Sequence, residues 1–181
     1  DAGAEMLPAA RLQAAKALGA KVIGTSGSAA KLDKLKPLGL DLGLVTRKPG
    51  FCDAVMNATG GRGADLAVNA VGGTVFGECV RALGFEGRLA IVGYVDGALK
   101  AEADLEALHA KRLKVYGVSN KLRNVEQRAV TVRNFARDLL PALADGRIRP
   151  LVDRVYALDE LPAAKARMEA DQHAGKIVVR I

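Results

Sequence analysis

Small hydroxyl side chains, glycine and a lysine follow the first short strand of the sequence, and together they could bind an anion. Residues 22–31 read VIGTSGSAAK, in which a strand runs into a loop and then into a helix that carries Lys31 in its first turn. The exposed amides of a helix start, the hydroxyls of Ser26 and Ser28 and the lysine ammonium form a concavity suited to phosphate. Ser28 is also placed to cap the helix.

The same segment has no acidic side chain at the end of the strand. A site that prefers NAD places Asp or Glu there to bond the ribose 2′-hydroxyl. An uncharged loop followed by a lysine instead favours a 2′-phosphate. An ordinary capped helix with an exposed lysine explains the same residues and is the more common case, so this segment alone does not establish a phosphate site.

Glycines end two further strands of the sequence. Val71 and Gly72 close one apolar run, and Gly93 and Tyr94 close another. Glycine lets a flat ligand approach the backbone closely. Plain turn chemistry explains either glycine alone, but their position at matching strand ends favours a shared ligand edge.

The elements that must position these residues alternate between two periodicities. Apolar runs predict strands at 21–26, 41–45, 64–71, 87–93, 114–118, 152–158 and 176–180. The intervening segments predict helices at 9–18, 28–39, 51–59, 75–83, 124–145 and 160–170. Strands separated by helices indicate an α/β fold, a doubly wound parallel sheet with ligands beyond the carboxyl ends of its strands. We expect strand 64–71, which is nearly all apolar, to be covered on both faces.

Composition bounds the class of protein. Half of the 181 residues are hydrophobic and 26% are charged, which is typical of a folded domain. No apolar run is long enough to span a bilayer, the first residues lack the pattern of a signal peptide, and two cysteines are too few for a disulfide framework. These features predict a soluble protein of a reducing compartment, the cytoplasm, with no membrane partner.

The net charge of +7 lies in one stretch, because residues 111–150 hold ten lysines and arginines against three acidic residues. Only 4% of the chain is aromatic and tryptophan is absent, so platforms for stacking bases are scarce. A solvated helix face or an anionic cofactor therefore explains the stretch better than nucleic acid does. RNA binding through this stretch remains a lesser hypothesis.

Other site chemistries lack the spacing that they need. His109 and His173 have no spaced cysteine or carboxylate partners of a zinc site, so no metal is expected. We expect His109 on a helix surface, His173 in a turn, and Cys52 and Cys79 on helices as inert thiols. A G-x-S-x-G elbow and a P-loop are both absent from the sequence.

Several stretches taken together resemble a known family. They are QAAKALGAKVIGTSGS (13–28), ADLAVNAVGG (64–73), GRLAIVG (87–93), ADGRIRP (144–150) and HAGKIVV (173–179). Their order and spacing resemble the cofactor-binding domain of the zinc-independent quinone oxidoreductases, within the medium-chain dehydrogenase/reductase superfamily. The resemblance covers about residues 9–181 and implies NADPH as cofactor.

The resemblance also implies which residues contact the cofactor. Ser26, Ser28 and Lys31 would surround the 2′-phosphate, and Gly93 and Tyr94 would lie near the nicotinamide. Thr46, flanked by Arg47, stands where many relatives have a tyrosine. The full implied set is Gly3, Ser26, Gly27, Ser28, Lys31, Thr46, Arg47, Val71, Gly72, Gly93, Tyr94, Val118, Ser119 and Asn120.

The chain departs from the family at its start. Relatives have a strand and a glycine-rich turn before the first helix, whereas Glu5, Met6 and Pro8 stand at the expected glycines here. Larger side chains and a missing amide weaken the contact with pyrophosphate. We therefore expect a Rossmann-type domain over 1–157 without its first strand. Residues 158–181 are expected to pack on an amino-terminal catalytic domain that this chain lacks.

These features predict an NADPH-dependent reductase that transfers hydride to a quinone or an activated enone, with no general acid identified. An enoyl reductase module of a polyketide or fatty-acid synthase is the alternative enzyme. A non-catalytic dinucleotide-binding or oligomerisation module is the alternative outside catalysis. By the resemblance, two copies would pair as a homodimer through the edge strand at 113–118.

Overall fold

The computed structural model describes residues 9–46, 48–170 and 173–181. Its helices are α1 (Ala9–Ala17), α2 (Ala29–Leu35), α3 (Cys52–Ala58), α4 (Phe76–Ala82), α5 (Leu105–Ala110), α6 (Val125–Asp138), α7 (Leu140–Ala144) and α8 (Leu161–Glu169). Its strands are β1 (Ile23–Ser26), β2 (Leu42–Val45), β3 (Ala64–Asn69), β4 (Leu83–Ile91), β5 (Lys114–Gly117), β6 (Val152–Ala157) and β7 (Lys176–Arg180). The predicted alternation of strands and helices is confirmed.

The helix predicted over 124–145 is wrong as a single element. It is divided into α6 and α7 at Leu139, whose φ of −122° and ψ of −24° are not helical. Pro141 explains the break, because proline has no amide hydrogen and its ring collides with the carbonyl four residues earlier in a continuous helix. Proline is tolerated in the first turn of α7, where an amide has no helical partner.

The described residues up to Val45 and the segment Leu122–Ile181 form one compact unit, called here the first unit. Within it β1 and β2 pair in parallel. Leu12 of α1 packs with Leu32 and Leu35 of α2 in a buried cluster beneath this pair. The apolar spacing that predicted both helices therefore marks the faces that they bury.

A buried glutamine joins distant parts of the first unit. The side-chain amide of Gln13 donates a hydrogen bond of 2.8 Å to the carbonyl of Arg149 and accepts one of 2.8 Å from the amide of the same residue. Gln13 is 5% exposed. Because both polar atoms of the amide are paired, the burial of this polar group is compensated.

The second unit is Thr46–Lys121, in which β3, β4 and β5 form a parallel sheet in that order. One face is covered by α4, where Val80 packs with Leu89 of β4. The other face is open along β3, since Leu66 is 45% and Val68 is 38% exposed. The expectation that β3 is covered on both faces is therefore wrong, because within this unit the helices cover one side only.

The predicted fold class, α/β with parallel strands, is confirmed, but the described strands form three sheets rather than one. These are β1–β2, β3–β4–β5 and β6–β7. In the usual doubly wound order the first strand lies between the second and the fourth. Among the described residues no strand precedes α1, so β1 and β3, which hold those two places, belong to different sheets. The division at residue 157 stays a prediction.

The helices are short and polar relative to the apolar length that a bilayer requires. Within residues 9–46, 48–170 and 173–181, no helix is both long and apolar enough to cross a membrane. The longest, α6, has 14 residues and includes five charged ones among them.

Candidate functional site

The turn between β1 and α2 is built by its own serines. Ser28 caps α2, because its hydroxyl oxygen accepts a hydrogen bond of 3.3 Å from the amide of Lys31. Ser26 is 5% exposed, and its hydroxyl oxygen accepts a bond of 3.2 Å from the amide of Ser28. Each hydroxyl accepts from an amide and keeps its own hydrogen as a donor. The turn thus presents the hydroxyl of the partly exposed Ser28 at a helix start, beside Lys31 and the exposed Gly27, while the buried Ser26 shapes the turn.

The carboxyl ends of β3, β4 and β5 meet at one edge of the second unit. The register places Asn69 beside Ile91, and Ile91 beside Gly117. The residues predicted from strand ends follow directly, so the structure brings them to this edge. They are Val71, Gly72, Gly93, Tyr94, Val118, Ser119 and Asn120.

Two of these residues are largely exposed. The side chain of Tyr94 is 63% exposed and that of Val118 is 51% exposed, so both are available to a ligand. The hydroxyl oxygen of Ser119 accepts a bond of 3.2 Å from the amide of Lys121 and shapes the loop after β5. The predicted contacts of all seven residues with a cofactor stay predictions.

Asn69 shapes the exit of β3, a role that the sequence reasoning missed. Its side-chain oxygen accepts hydrogen bonds of 2.9 and 3.0 Å from the amides of Val71 and Gly72, and its amide group donates one of 2.9 Å to the carbonyl of Gly72. Asn69 is 3% exposed. An asparagine at the end of an apolar strand, just before glycine, is a turn signal that could have identified it.

Gly72 is required by the chain's own fold at this edge. Its φ of 131° and ψ of −150° are accessible to glycine alone. A Cβ atom there would lie 1.9 Å from Oδ1 of Asp96. The close neighbour of this glycine is therefore the loop after β4, where the sequence reasoning expected a flat ligand.

A buried carboxylate fixes the segment that leads into α3. Oε1 of Glu78 accepts hydrogen bonds of 2.9 Å from the amide of Gly50 and 2.7 Å from the amide of Cys52, and Oε2 pairs with Arg81. Burial raises the pKa of Glu78, but these hydrogen bonds outweigh it and hold the pKa below its ordinary value. Glu78 therefore stays ionised and anchors this segment to α4.

Of the remaining predicted site residues, only Thr46 lies among the described residues. Thr46 follows β2, and its hydroxyl donates a hydrogen bond of 2.9 Å to the carbonyl of Lys48 and accepts one of 3.1 Å from the amide of that residue. Gly3 and Arg47, like Glu5, Met6 and Pro8, lie outside the described residues.

Metal-ligating and nucleophilic side chains are dispersed. In the part of the chain that the structure describes, no three His, Cys, Asp or Glu side chains come together as a metal site requires. His109 is exposed on α5 and His173 precedes β7, as predicted. Cys52 and Cys79 lie on α3 and α4 as predicted, and burial raises the pKa of the Cys79 thiol to about 11. Cys79 is therefore a neutral, inert thiol near pH 7.

The family to which the chain belongs is shown by a match over most of its length. The family described as zinc-binding dehydrogenase matches residues 9–132, which is more than half of the chain. The chain belongs to the zinc-binding dehydrogenase family. The match includes the β1–α2 turn and the carboxyl edge of β3, β4 and β5. The family's description names zinc, but the described residues offer no set of ligands for it.

The similar proteins include synthases and reductases. One is a phenolphthiocerol/phthiocerol polyketide synthase of Mycobacterium tuberculosis, which is 30% identical over 95% of this chain and 8% of its own length. Another is quinone oxidoreductase-like protein 2 of Bos taurus, 28% identical over 91% of this chain and 46% of its own length. The chain thus spans less than half of these relatives.

A solved structure is also similar. The mycobacterial protein Rv1454c, whose structure was determined in complex with NADPH, matches 99% of this chain and 56% of its own, with 27% identity and a TM-score of 0.76. Together with the family match and the similarity to the quinone oxidoreductase-like protein, this match confirms the resemblance to the cofactor-binding domain of the quinone oxidoreductases. This family member has the fold of that domain.

Proposed function

We propose that this chain is the cofactor-binding part of an NADPH-dependent reductase of the quinone oxidoreductase type. Its reaction is hydride transfer to a quinone or an electron-poor enone. The observation that carries the proposal is the β1–α2 turn. Ser28 presents a partly exposed hydroxyl there, the buried Ser26 shapes the turn, Lys31 adds a positive charge, and the strand ends without a carboxylate.

Each unit, taken by itself, offers chemistry that one part of this cofactor needs. The turn offers hydrogen-bond donors and a helix start to a 2′-phosphate. Phosphate oxygens need such donors. The carboxyl edge of the second unit offers Tyr94 and Val118 as exposed surface for a ring. A bound NADPH supplies the hydride. The chain supplies orientation and, near the reacting centre, exclusion of water.

The proposal is tested with two variants that separate phosphate binding from helix capping. Lys31→Glu reverses the charge, and Ser28→Asp keeps a good cap for α2 while it adds a negative charge. We expect each variant to weaken NADPH by about tenfold or more, which corresponds to about 1.4 kcal/mol. NADH lacks the 2′-phosphate, so its affinity should hardly change. Calorimetric titration of both cofactors measures this.

The matched control is Ser28→Asn, which also caps a helix but stays neutral. It should retain the preference for NADPH. Equal affinities of the parent chain for NADPH and NADH would contradict the proposal. An equal loss of affinity for NADPH and NADH in Ser28→Asp would also contradict it, because the added charge would then not act on the 2′-phosphate.

A second enzymatic function is favoured by one comparison. The mycobacterial polyketide synthase is 30% identical over nearly the whole chain, so we consider an enoyl reductase module as well. The two functions differ in substrate, because the module would reduce an enoyl thioester. Turnover of crotonyl-coenzyme A against a benzoquinone, with the chain supplied in its full-length context, separates them.

We infer further that two copies associate through β5. The strand pairs with β4 on one side, and all four of its residues are exposed. An edge strand has unpaired amides and carbonyls, which a second copy of the same strand satisfies. Lys114 protects the edge only in part, because a single lysine leaves the other residues of the strand able to pair.

A further inference from the structure

The exits of β3 and β4 are fastened to each other. The amide of Val92 donates a hydrogen bond of 2.8 Å to the carbonyl of Asn69, and the amide of Asp96 donates one of 2.9 Å to Val71. In the opposite direction, the amide of Gly73 donates one of 2.9 Å to Ala98. The two loops that follow these strands therefore form one joined structure.

The carboxylate of Asp96 closes this structure from the side of the β4 loop. Oδ2 accepts hydrogen bonds of 2.9 Å from the amide and 2.6 Å from the hydroxyl of Thr74, and Oδ1 accepts one of 2.9 Å from the amide of Ala98. Desolvation raises the pKa of Asp96, but these bonds outweigh it and lower the pKa. The carboxylate is thus ionised near neutral pH and has three donors.

We propose that Asp96 is a positioning residue for the nicotinamide half of the dinucleotide, because it holds the loop that carries Tyr94 against the exit of β3. The proposal rests on the proposed function. Asp96 acts through the loop, since its oxygens are already occupied by Thr74 and Ala98. Tyr94 lies two residues before it, and the amide of Gly97 donates a bond of 3.0 Å to the carbonyl of Tyr94, which completes a tight turn.

Charge and position predict opposite effects for one substitution. NADPH is an anion, so loss of the negative charge in Asp96→Asn should strengthen binding if electrostatic repulsion dominated. Asparagine also replaces one acceptor oxygen by a donor group that faces the donors of Thr74 or Ala98. If Asp96 positions the loop, the neutral variant should weaken binding.

The experiment compares two probes that share the phosphate end of the cofactor. NADPH contains the nicotinamide, whereas 2′,5′-ADP lacks it. Both are titrated calorimetrically into the parent chain and into Asp96→Ala, Asp96→Asn and Thr74→Val. Thr74→Ser keeps the hydroxyl and is the conservative rescue. Asp104→Ala is the matched control, because Oδ1 of Asp104 accepts a comparable bond of 2.8 Å from the amide of Ala107 in the same unit.

We expect Asp96→Ala and Asp96→Asn to weaken NADPH by about tenfold or more, the effect of losing charged hydrogen bonds. Thr74→Val, which loses one of three, should weaken it by a smaller factor that Thr74→Ser restores. The affinity for 2′,5′-ADP should stay unchanged throughout. Amide hydrogen exchange should show that Thr74 and Ala98 are protected in the parent and lose that protection in Asp96→Ala.

Three results of the titrations overturn the inference while the proposed function stands. These are unchanged NADPH binding in Asp96→Ala, an equal loss for both probes, and an equal effect of Asp104→Ala. Free exchange of the Thr74 and Ala98 amides in the parent also overturns it, whatever the affinities. A parent that binds neither NADPH nor 2′,5′-ADP overturns the proposed function and this inference together.

Discussion

At the scale of single residues, two residues other than glycine adopt a left-handed backbone conformation, which favours glycine. Glu86 has a φ of 59° and Arg112 a φ of 52°, and their side chains form an exposed ion pair of 3.4 Å. The left-handed region costs a residue with a side chain about 1 kcal/mol or more. An exposed pair restores little of that cost. Glu86, which lies within β4, and Arg112, which lies two residues before β5, are therefore strained.

This strain predicts that Glu86→Gly is tolerated. Relief of the strain is offset by the greater freedom that glycine gives to the unfolded chain, about 0.4–1 kcal/mol. We expect the free energy of unfolding, measured in urea, to stay within about 0.5 kcal/mol of the parent or to rise.

The matched control lies two residues further along the same strand. Arg88 is also exposed, pairs with Leu66 in register, and has an ordinary negative φ. Arg88→Gly should lower the free energy of unfolding by about 1 kcal/mol, since glycine weakens a strand interior. Equal losses in Arg88→Gly and Glu86→Gly would contradict the interpretation of strain at residue 86.

At the scale of elements, one carboxylate joins β6, α8 and the turn before β7. Oδ2 of Asp153 accepts a hydrogen bond of 2.6 Å from Nε of Arg167, and Oδ1 accepts one of 3.0 Å from the amide of Ala174. The carboxylate is 2% exposed. The hydrogen bond from Arg167 and that from Ala174 lower the pKa of Asp153 to about 2.

This pair predicts how stability depends on pH. The pKa of Asp153 is lower in the folded state than the ordinary value of 3.8, so the unfolded chain binds more protons between these values. Its contribution to stability is complete above about pH 5 and is lost as the pH falls towards 2. Asp153→Asn should lack this part of the acid dependence and lose about 1–3 kcal/mol at neutral pH.

The measurement is a series of urea unfolding curves from neutral to acid pH. Asp145→Asn is the control, since Asp145 also has a lowered pKa from its pairing with Arg147 but is exposed, where pairs contribute little. An acid dependence of Asp153→Asn equal to that of the parent would refute the role of this carboxylate.

At the scale of the whole molecule, association through β5 depends on which amides point outwards. The amide of Val118 donates a hydrogen bond of 2.8 Å to Ile91 of β4. Successive residues of a strand point their amides to opposite sides, so the amide of Val115 points to the free edge and that of Tyr116 to β4. Proline at Val115 therefore removes a donor of the proposed interface and spares the ladder with β4.

The expected result is a dimer for the parent and a monomer for Val115→Pro, measured by light scattering with multi-angle detection. Val115→Ala keeps the amide and should remain a dimer. Tyr116→Pro removes a bond to β4 instead and should lower the free energy of unfolding. A parent chain that stays monomeric at high micromolar concentration would refute this interface.

The sequence by itself determined what depends on near neighbours. The alternation of strands and helices, the cap formed by Ser28, and the arrival of Gly72 and Gly93 at one sheet edge all follow from periodicity and turn chemistry over a few residues. The same local rules explain why the helix break at Pro141 was within reach of prediction.

Only the tertiary structure decided what depends on distant neighbours. Asp96 accepts a hydrogen bond from Thr74, which is 22 positions away, and Gln13 accepts one from Arg149, which is 136 positions away. No local sequence pattern predicts either pair. The neighbour of Gly72 is also set by the tertiary structure, because the space that a Cβ atom would fill there is occupied by the loop after β4. Burial is likewise a property of what packs alongside, which is why Leu66 and Val68 are apolar in sequence and exposed in the fold.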